Sequence, residues 1–159
     1  MRVLLMHSSY LSGSSSGENR VVEDEARLLR DGGHEIELLA PRYNSERRTI
    51  VAALRAIWCR PIYAEVRERY GHIFKVGVVH AHNLFPCLSP AILRVPLPTV
   101  LTLHNFRLAC LPATFLRDSR ICEDCLGHPP WRGVVHGCYR ESRSASSVIA
   151  ASLTLHRAI

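Results

Sequence analysis

Three histidines, His7, His82 and His104, each stand at the close of a short apolar run, and two of them are followed by an amide, Asn83 and Asn105. Imidazole donates, accepts and titrates near neutrality, while a carboxamide donates and accepts at once. Gathered at one edge, such groups could grip the hydroxyls of a polar ligand. A second set is Cys110, Cys122, Cys125 and Cys138, whose C-x2-C pair has the spacing that tetrahedral zinc sites favour, although only one of two such hooks is present. Structural Zn2+, unligated thiols, and one or two disulfides are the open readings. Zinc is favoured, because the Pro- and Gly-rich stretch around these cysteines is too polar to pack a core and a metal would replace the missing stabilisation. His128 and His136 are further candidate ligands, and Cys59 and Cys87 fit as small buried apolar residues.

For the histidines to act together, the runs before them must be neighbouring parallel strands. Val3-Leu4-Leu5-Met6 is apolar throughout, as a strand buried on both faces requires. A Ser- and Gly-rich loop, Ser8 to Gly17, follows. Ser15 and Glu18 have capping-box spacing and open a helix carrying Val22, Ala26 and Leu29 on one stripe. Gly32-Gly33 ends that helix, and Ile36 to Ala40 is a second strand, closed by Pro41. This β–loop–α–β order predicts a right-handed crossover in a parallel sheet. Helical pieces are expected over Thr49 to Cys59 and, after Pro61, over Ile62 to Tyr70. A third strand is expected over Gly77 to His82, a short helix over Ser89 to Leu93 and a fourth strand over Thr99 to His104. Residues 105–140 are too long and too rich in Pro, Gly and Cys for an ordinary connection. Ala145, Val148, Ile149, Ser152, Leu153 and His156 then fall on one face of a last helix.

In open parallel sheets ligands bind beyond the carboxyl ends of the strands, where strand order reverses. His7, His82-Asn83 and His104-Asn105 all occupy such ends. The first helix directs its N-terminus, and so its unpaired N–H groups, to the same rim, which favours an anionic group there. The glycines Gly13 and Gly17 match neither a dinucleotide fingerprint nor a P-loop.

Composition bounds the alternatives. The chain has 159 residues, 47% of them hydrophobic, enough for a packed core and against intrinsic disorder. Its apolar runs are too short to span a bilayer, and the segment after Met1 lacks the length of a signal peptide. A cytoplasmic protein with reduced thiols is the expectation. The net charge is +6, and of the basic residues only Lys75 is not arginine. Seven Arg and three Glu lie between Arg42 and Arg69, around Ile57 and Trp58. A solvated helix face is the plain explanation, and peripheral contact with an anionic membrane, at its inner face, is the functional one.

Several blocks together resemble one family. They are Glu18-Asn19-Arg20-Val21-Val22-Glu23-Asp24-Glu25-Ala26, Gly33-His34-Glu35-Ile36, Val79-His80-Ala81-His82-Asn83-Leu84-Phe85 with Leu88-Ser89-Pro90, Thr102-Leu103-His104-Asn105-Phe106-Arg107-Leu108, Phe115-Leu116-Arg117-Asp118, Cys122-Glu123-Asp124-Cys125-Leu126-Gly127, and Gly137-Cys138-Tyr139-Arg140. This pattern, which covers most of the chain outside residues 44–75, resembles the N-terminal domain of the retaining GT-B glycosyltransferases of glycosyltransferase family 4. Similar proteins usually carry paired glycines before the acidic helix start, where this chain has Ser16 and Gly17.

The resemblance implies an α/β fold: a Rossmann-like parallel sheet flanked by helices, spanning residues 1–159, truncated before its last strand, with a Cys-rich insertion over 105–140. It implies transfer of a sugar from a nucleotide-sugar donor to a glycan or lipid-linked acceptor. His104 would lie near the transferred sugar as the catalytic residue. Ser16 and Gly17 would lie near the donor phosphates, His82 and Asn83 would line the acceptor side, and Asn105 would join these donor-phosphate and acceptor-binding residues. No catalytic metal is expected. The donor is held mainly by a C-terminal Rossmann-like domain absent from these residues, so this chain alone is expected to be inactive. The competing readings are a zinc-binding module for nucleic acid or protein, suggested by an isoelectric point near 9.3, and a non-functional gene fragment. Nucleic acid is not the expected partner, because the basic residues are dispersed and not interleaved with aromatics.

Overall fold

A computed structural model of the protein describes residues 1–10, 17–43 and 50–157. The capping serine Ser15 and the candidate loop residue Ser16 lie outside them. Two compact units divide the chain, Met1–His104 and Asn105–Ile159.

The first unit is built on a four-stranded, all-parallel sheet. Its strands are β1 (Arg2–Met6), β2 (Glu35–Leu39), β3 (Val78–Ala81) and β4 (Thr99–Leu101), in the order β2-β1-β3-β4. Helix α1 (Gly17–Asp31) links β1 to β2. Gly33, at φ +79°, turns the chain out of the helix, and the His34 N–H donates to the Leu29 carbonyl at 3.0 Å. A left-handed residue at this point satisfies the last carbonyls, which is why glycine stands here. Helices α2 (Ile50–Ile57) and α3 (Arg60–Glu65) follow, with Pro61 in the first turn of α3. Helix α3 runs on into a π-helical stretch over Val66–Ile73, wider than the single α-helical piece expected from the sequence. The short helix expected at Ser89 is a 3-10 turn over Pro90–Arg94.

Alternation along the strands sorts the core into two layers. Leu4 and Met6 of β1 and Val79 and Ala81 of β3 pack with Val66, Tyr70, Leu88 and Ile92 on one face. Val3, Leu5 and Val78 pack with Ala26 and Leu29 of α1 and with Ile36 on the other. Strand β1 is covered on both faces, so its run is apolar without interruption. The period of two then dictates that the residues continuing Val3–Leu5 and Val78, namely His7, His80 and His82, fall on the α1 side.

The second unit carries a hairpin of β5 (Leu116–Arg117) and β6 (Arg120–Ile121), closed by Asp118 and Ser119, both at positive φ. Two such residues make the turn whose twist suits a hairpin. Helix α4 (Trp131–Val135) packs on α5 (Arg143–Arg157). Ser142 caps α5, its Oγ accepting from the Ala145 N–H at 3.3 Å. The expected apolar face is present in Ile149, Ser152 and Leu153, and it extends to Ser146 and Ala150, which are also buried.

Candidate functional site

Because β2 lies on one side of β1 and β3 on the other, the strand order reverses between β1 and β3. His7 follows β1 and His82 follows β3, so both stand at that crevice. The Thr102 N–H bonds the Ala81 carbonyl at 2.9 Å, which ends the β3–β4 ladder. The fourth strand therefore stops at Leu101, and His104 stands free of it, stacked on His82 with ring centroids 5.2 Å apart. His7 meets His82 edge-on at 6.5 Å.

His80 and Glu25 complete the cluster. Glu25 lies on α1 between Val22 and Ala26, at the edge of the buried stripe. His80 Nδ1 donates to Glu25 Oε1 at 2.6 Å, and the other carboxylate oxygen lies 3.4 Å from His82 Nε2. With Nδ1–H given to the carboxylate, His80 Nε2 accepts from the Thr102 hydroxyl at 2.8 Å. His82 Nδ1 lies 3.0 Å from His104 Nε2, and His80 stacks on His82 at 4.4 Å. His7 Nε2 donates to Asn19 Oδ1 at 2.6 Å.

The electrostatics follow from burial. The His82 side chain is wholly enclosed, and burial, reinforced by the neighbouring His80, His104 and His7, pushes its pKa down to about 4. His82 is thus neutral at pH 7, and its one proton goes to either Nδ1 or Nε2. Its buried Nε2 makes no hydrogen bond, with the nearer Glu25 oxygen 3.4 Å away.

The remaining candidates sit as follows. Asn83 Nδ2 donates to Glu18 Oε2 at 3.1 Å, and Asn83 Oδ1 accepts from the Phe85 N–H. Glu18 thus brings a carboxylate to the first turn of α1, where the helix dipole favours it. Gly17 is exposed at the head of α1, and a Cβ there would meet nothing within 4 Å. Asn105 belongs to the second unit, where its Oδ1 accepts from the Arg107 N–H at 3.0 Å.

All six cysteines are free thiols, with Cys110 buried and Cys122, Cys125 and Cys138 half-buried. Burial pushes the Cys138 thiol up, and the nearby Cys125, Cys122 and Cys110 add to this while Arg117 opposes it. Arg117 also donates to Asp124 at 2.8 Å and thereby holds that carboxyl below its usual range. The four thiols are electrostatic neighbours, yet among the described residues the trio with ligand atoms all within 4.8 Å of one another is Glu25, His80 and His82.

Sequence reasoning placed His7, His82 and His104 on strand ends and passed over Glu25 and His80. A signal for both was present. Glu25 is a carboxylate on the apolar stripe of α1, and His80 precedes His82 by the two residues that keep a strand's side chains on one face. No helix among the described residues is long and apolar enough to cross a membrane. Comparison with protein-family models, with curated proteins and with solved structures returns no match for this chain.

Proposed function

We propose that this chain is the acceptor-side half of a retaining glycosyltransferase, moving a sugar from a nucleotide-sugar donor to a glycan or lipid-linked acceptor in the cytoplasm. The observation that supports the reading is the gathering of His7, His82 and His104 at the point where the order of a parallel sheet reverses. Such a crevice is where open α/β sheets take their ligands.

Within this reading His104 is the catalytic residue. His82 holds His104 by Nε2, which leaves His104 Nδ1 for a sugar hydroxyl. A neutral, enclosed His82 orients that ring without adding positive charge to the rim. Asn83, held by Glu18, supplies a carboxamide one residue after His82. Transfer then depends on alignment of acceptor and donor and on stabilising the departing diphosphate. The basic groups for that last task belong to a second Rossmann-like half, with Gly17 leaving open space at the head of α1.

The cysteine loop serves this reading as a structural element. Cys110, Cys122, Cys125 and Cys138, neighbours through Cys138, would hold one Zn2+, which would replace apolar packing in the loop.

The test is an assay of the purified chain with a panel of nucleotide sugars, joined to NMR of its histidine rings. The expected result is no sugar transfer by the 159 residues alone, with nucleotide sugar or acceptor sugar shifting the His82 and His104 resonances. Transfer by the chain alone would overturn the half-site assignment. Rings insensitive to every sugar ligand would overturn the family assignment.

A further inference from the structure

We propose that Glu25, His80 and His82 form a binding site for a divalent transition-metal ion of the zinc class. One carboxylate oxygen of Glu25 and one ring nitrogen each of His80 and His82 lie within 4.8 Å of one another, and Glu25 faces His80 at Nδ1 and His82 at Nε2. Tetrahedral bonds of ~2.0–2.1 Å place ligand atoms about 3.3 Å apart. His82 Nε2 lies 3.4 Å from Glu25 Oε2, close to that spacing, while His80 Nδ1, 2.6 Å from Oε1, would have to open by about 0.7 Å.

Hydrogen bonding alone leaves this cluster incomplete. His80 is satisfied by Glu25 and Thr102, whereas His82 Nε2 is buried, has no hydrogen-bond partner and faces the carboxylate. An unmet buried polar atom is costly, and a metal ion between the nitrogen and Glu25 would remove that cost. The outer contacts have the form that metal-binding imidazoles need. Each histidine has its other ring nitrogen anchored, His80 Nε2 by Thr102 Oγ1 at 2.8 Å and His82 Nδ1 by His104 Nε2 at 3.0 Å.

Ligand type and setting select the ion. Two imidazoles and one carboxylate suit Zn2+, Co2+, Fe2+ or Ni2+ and are poor for Mg2+ or Ca2+, which prefer oxygen. The ligands stand on α1 and β3, whose positions are fixed by the packed layer of Val3, Leu5, Val78 and Ala26. Their accessibility is asymmetric, as an entry path requires: His82 is enclosed, while the His80 and Glu25 side chains are 15% and 25% exposed.

Metal binding also has a consequence for His104. A metal on Nε2 forces the His82 proton to Nδ1, which then donates to His104 Nε2 and leaves the His104 proton on Nδ1. Without metal, His82 Nε2 has no hydrogen bond to fix its tautomer, so the proton on the His82–His104 line can belong to either ring. The ion therefore fixes which His104 nitrogen offers a proton. The site itself does not rest on the sugar-transfer reading.

The test titrates the chelator-stripped, reduced 159-residue chain with Co2+ alone. Carrying all four loop cysteines as serine removes thiolate binding and its intense near-ultraviolet band, so the remaining visible bands report nitrogen and oxygen ligands. One equivalent is expected to bind. Thr102→Val should weaken it ~10–100-fold, and Glu25→Gln more than that. Absence of binding at micromolar Co2+, or equal binding by Glu25→Gln, would overturn the proposal. A readout on the native sequence guards against misfolded variants: Zn2+ should move the His82 Nε2 resonance and leave the His82 proton on Nδ1 in nitrogen-15 spectra. Unmoved imidazole nitrogens would equally overturn it. Sugar transfer is not read in either arm, so the two proposals fail separately.

Discussion

Nδ1 of His82 lies 3.0 Å from Nε2 of His104, so two stacked imidazoles share a single proton along that line. Protonating His82 would put a charge in an enclosed position beside three other imidazoles, which burial opposes. Four groups face it: Glu25 from α1, His80 on β3, His7 after β1 and His104 after β4.

The first prediction is a stability loss in acid. Burial holds His82 at about 4 in the fold against an ordinary 6.5. Between those values the unfolded chain binds the extra proton. Stability is therefore full above about pH 6.5 and falls as pH drops toward 4, by an amount of about 3 kcal/mol. Denaturant titrations of metal-free protein at pH 7 and pH 4.5 measure this. His82→Gln should lose most of the pH dependence, and an unchanged acid slope in that variant contradicts the assignment.

A second prediction concerns Gly133 in α4. A Cβ there would overlap the Leu111 side chain, with Cγ at 2.9 Å, and Leu111 is fully buried. Helix propensity alone would favour alanine by about 1 kcal/mol. Overpacking wins, and Gly133→Ala should destabilise the protein by ~1–3 kcal/mol. Leu111→Ala in the same chain should recover part of the loss. An alanine variant as stable as the native protein refutes the close packing.

The cysteine loop gives a third. Protein purified without chelator should carry one zinc released by thiol alkylation, and Cys122→Ser should lower its occupancy. The Arg117–Asp124 pair lies beside these thiols, so Arg117→Ala should weaken zinc retention less than loss of any one cysteine. Four freely alkylated thiols and no thiol-bound zinc count against a metal loop.

On α2, Val51 and Leu54 are exposed one turn apart and next to Arg55. An apolar pair beside a cation suits the surface of an anionic membrane. Co-sedimentation with vesicles should rise with anionic lipid and fall on Leu54→Asp. Binding indifferent to lipid charge removes the membrane partner.

Much of the first unit is legible from local sequence. An uninterrupted apolar run made β1, because a strand covered on both faces has no polar side. Stripe spacing and Gly33 fixed α1 and its end. His7 and His82 were visible as strand-end residues from the apolar runs before them, whereas the strand expected to end at His104 stops at Leu101. The segment after Pro61 was less legible: helical periodicity does not separate an α-helix from the wider π-helical turn that seats Val66 and Tyr70.

Tertiary structure alone decided the partners of those histidines. Strand order set β3 beside β1, and the register Met6↔Ala81 brought their ends level. Helix α1, packed across the same face, then delivered Glu25 to His80 and His82, which lie more than 50 positions away in sequence. Amino-acid order states which face a residue takes, through the periods of 2 and 3.6. Which faces meet depends on how the whole sheet is wound, because that is settled by burying several elements at once.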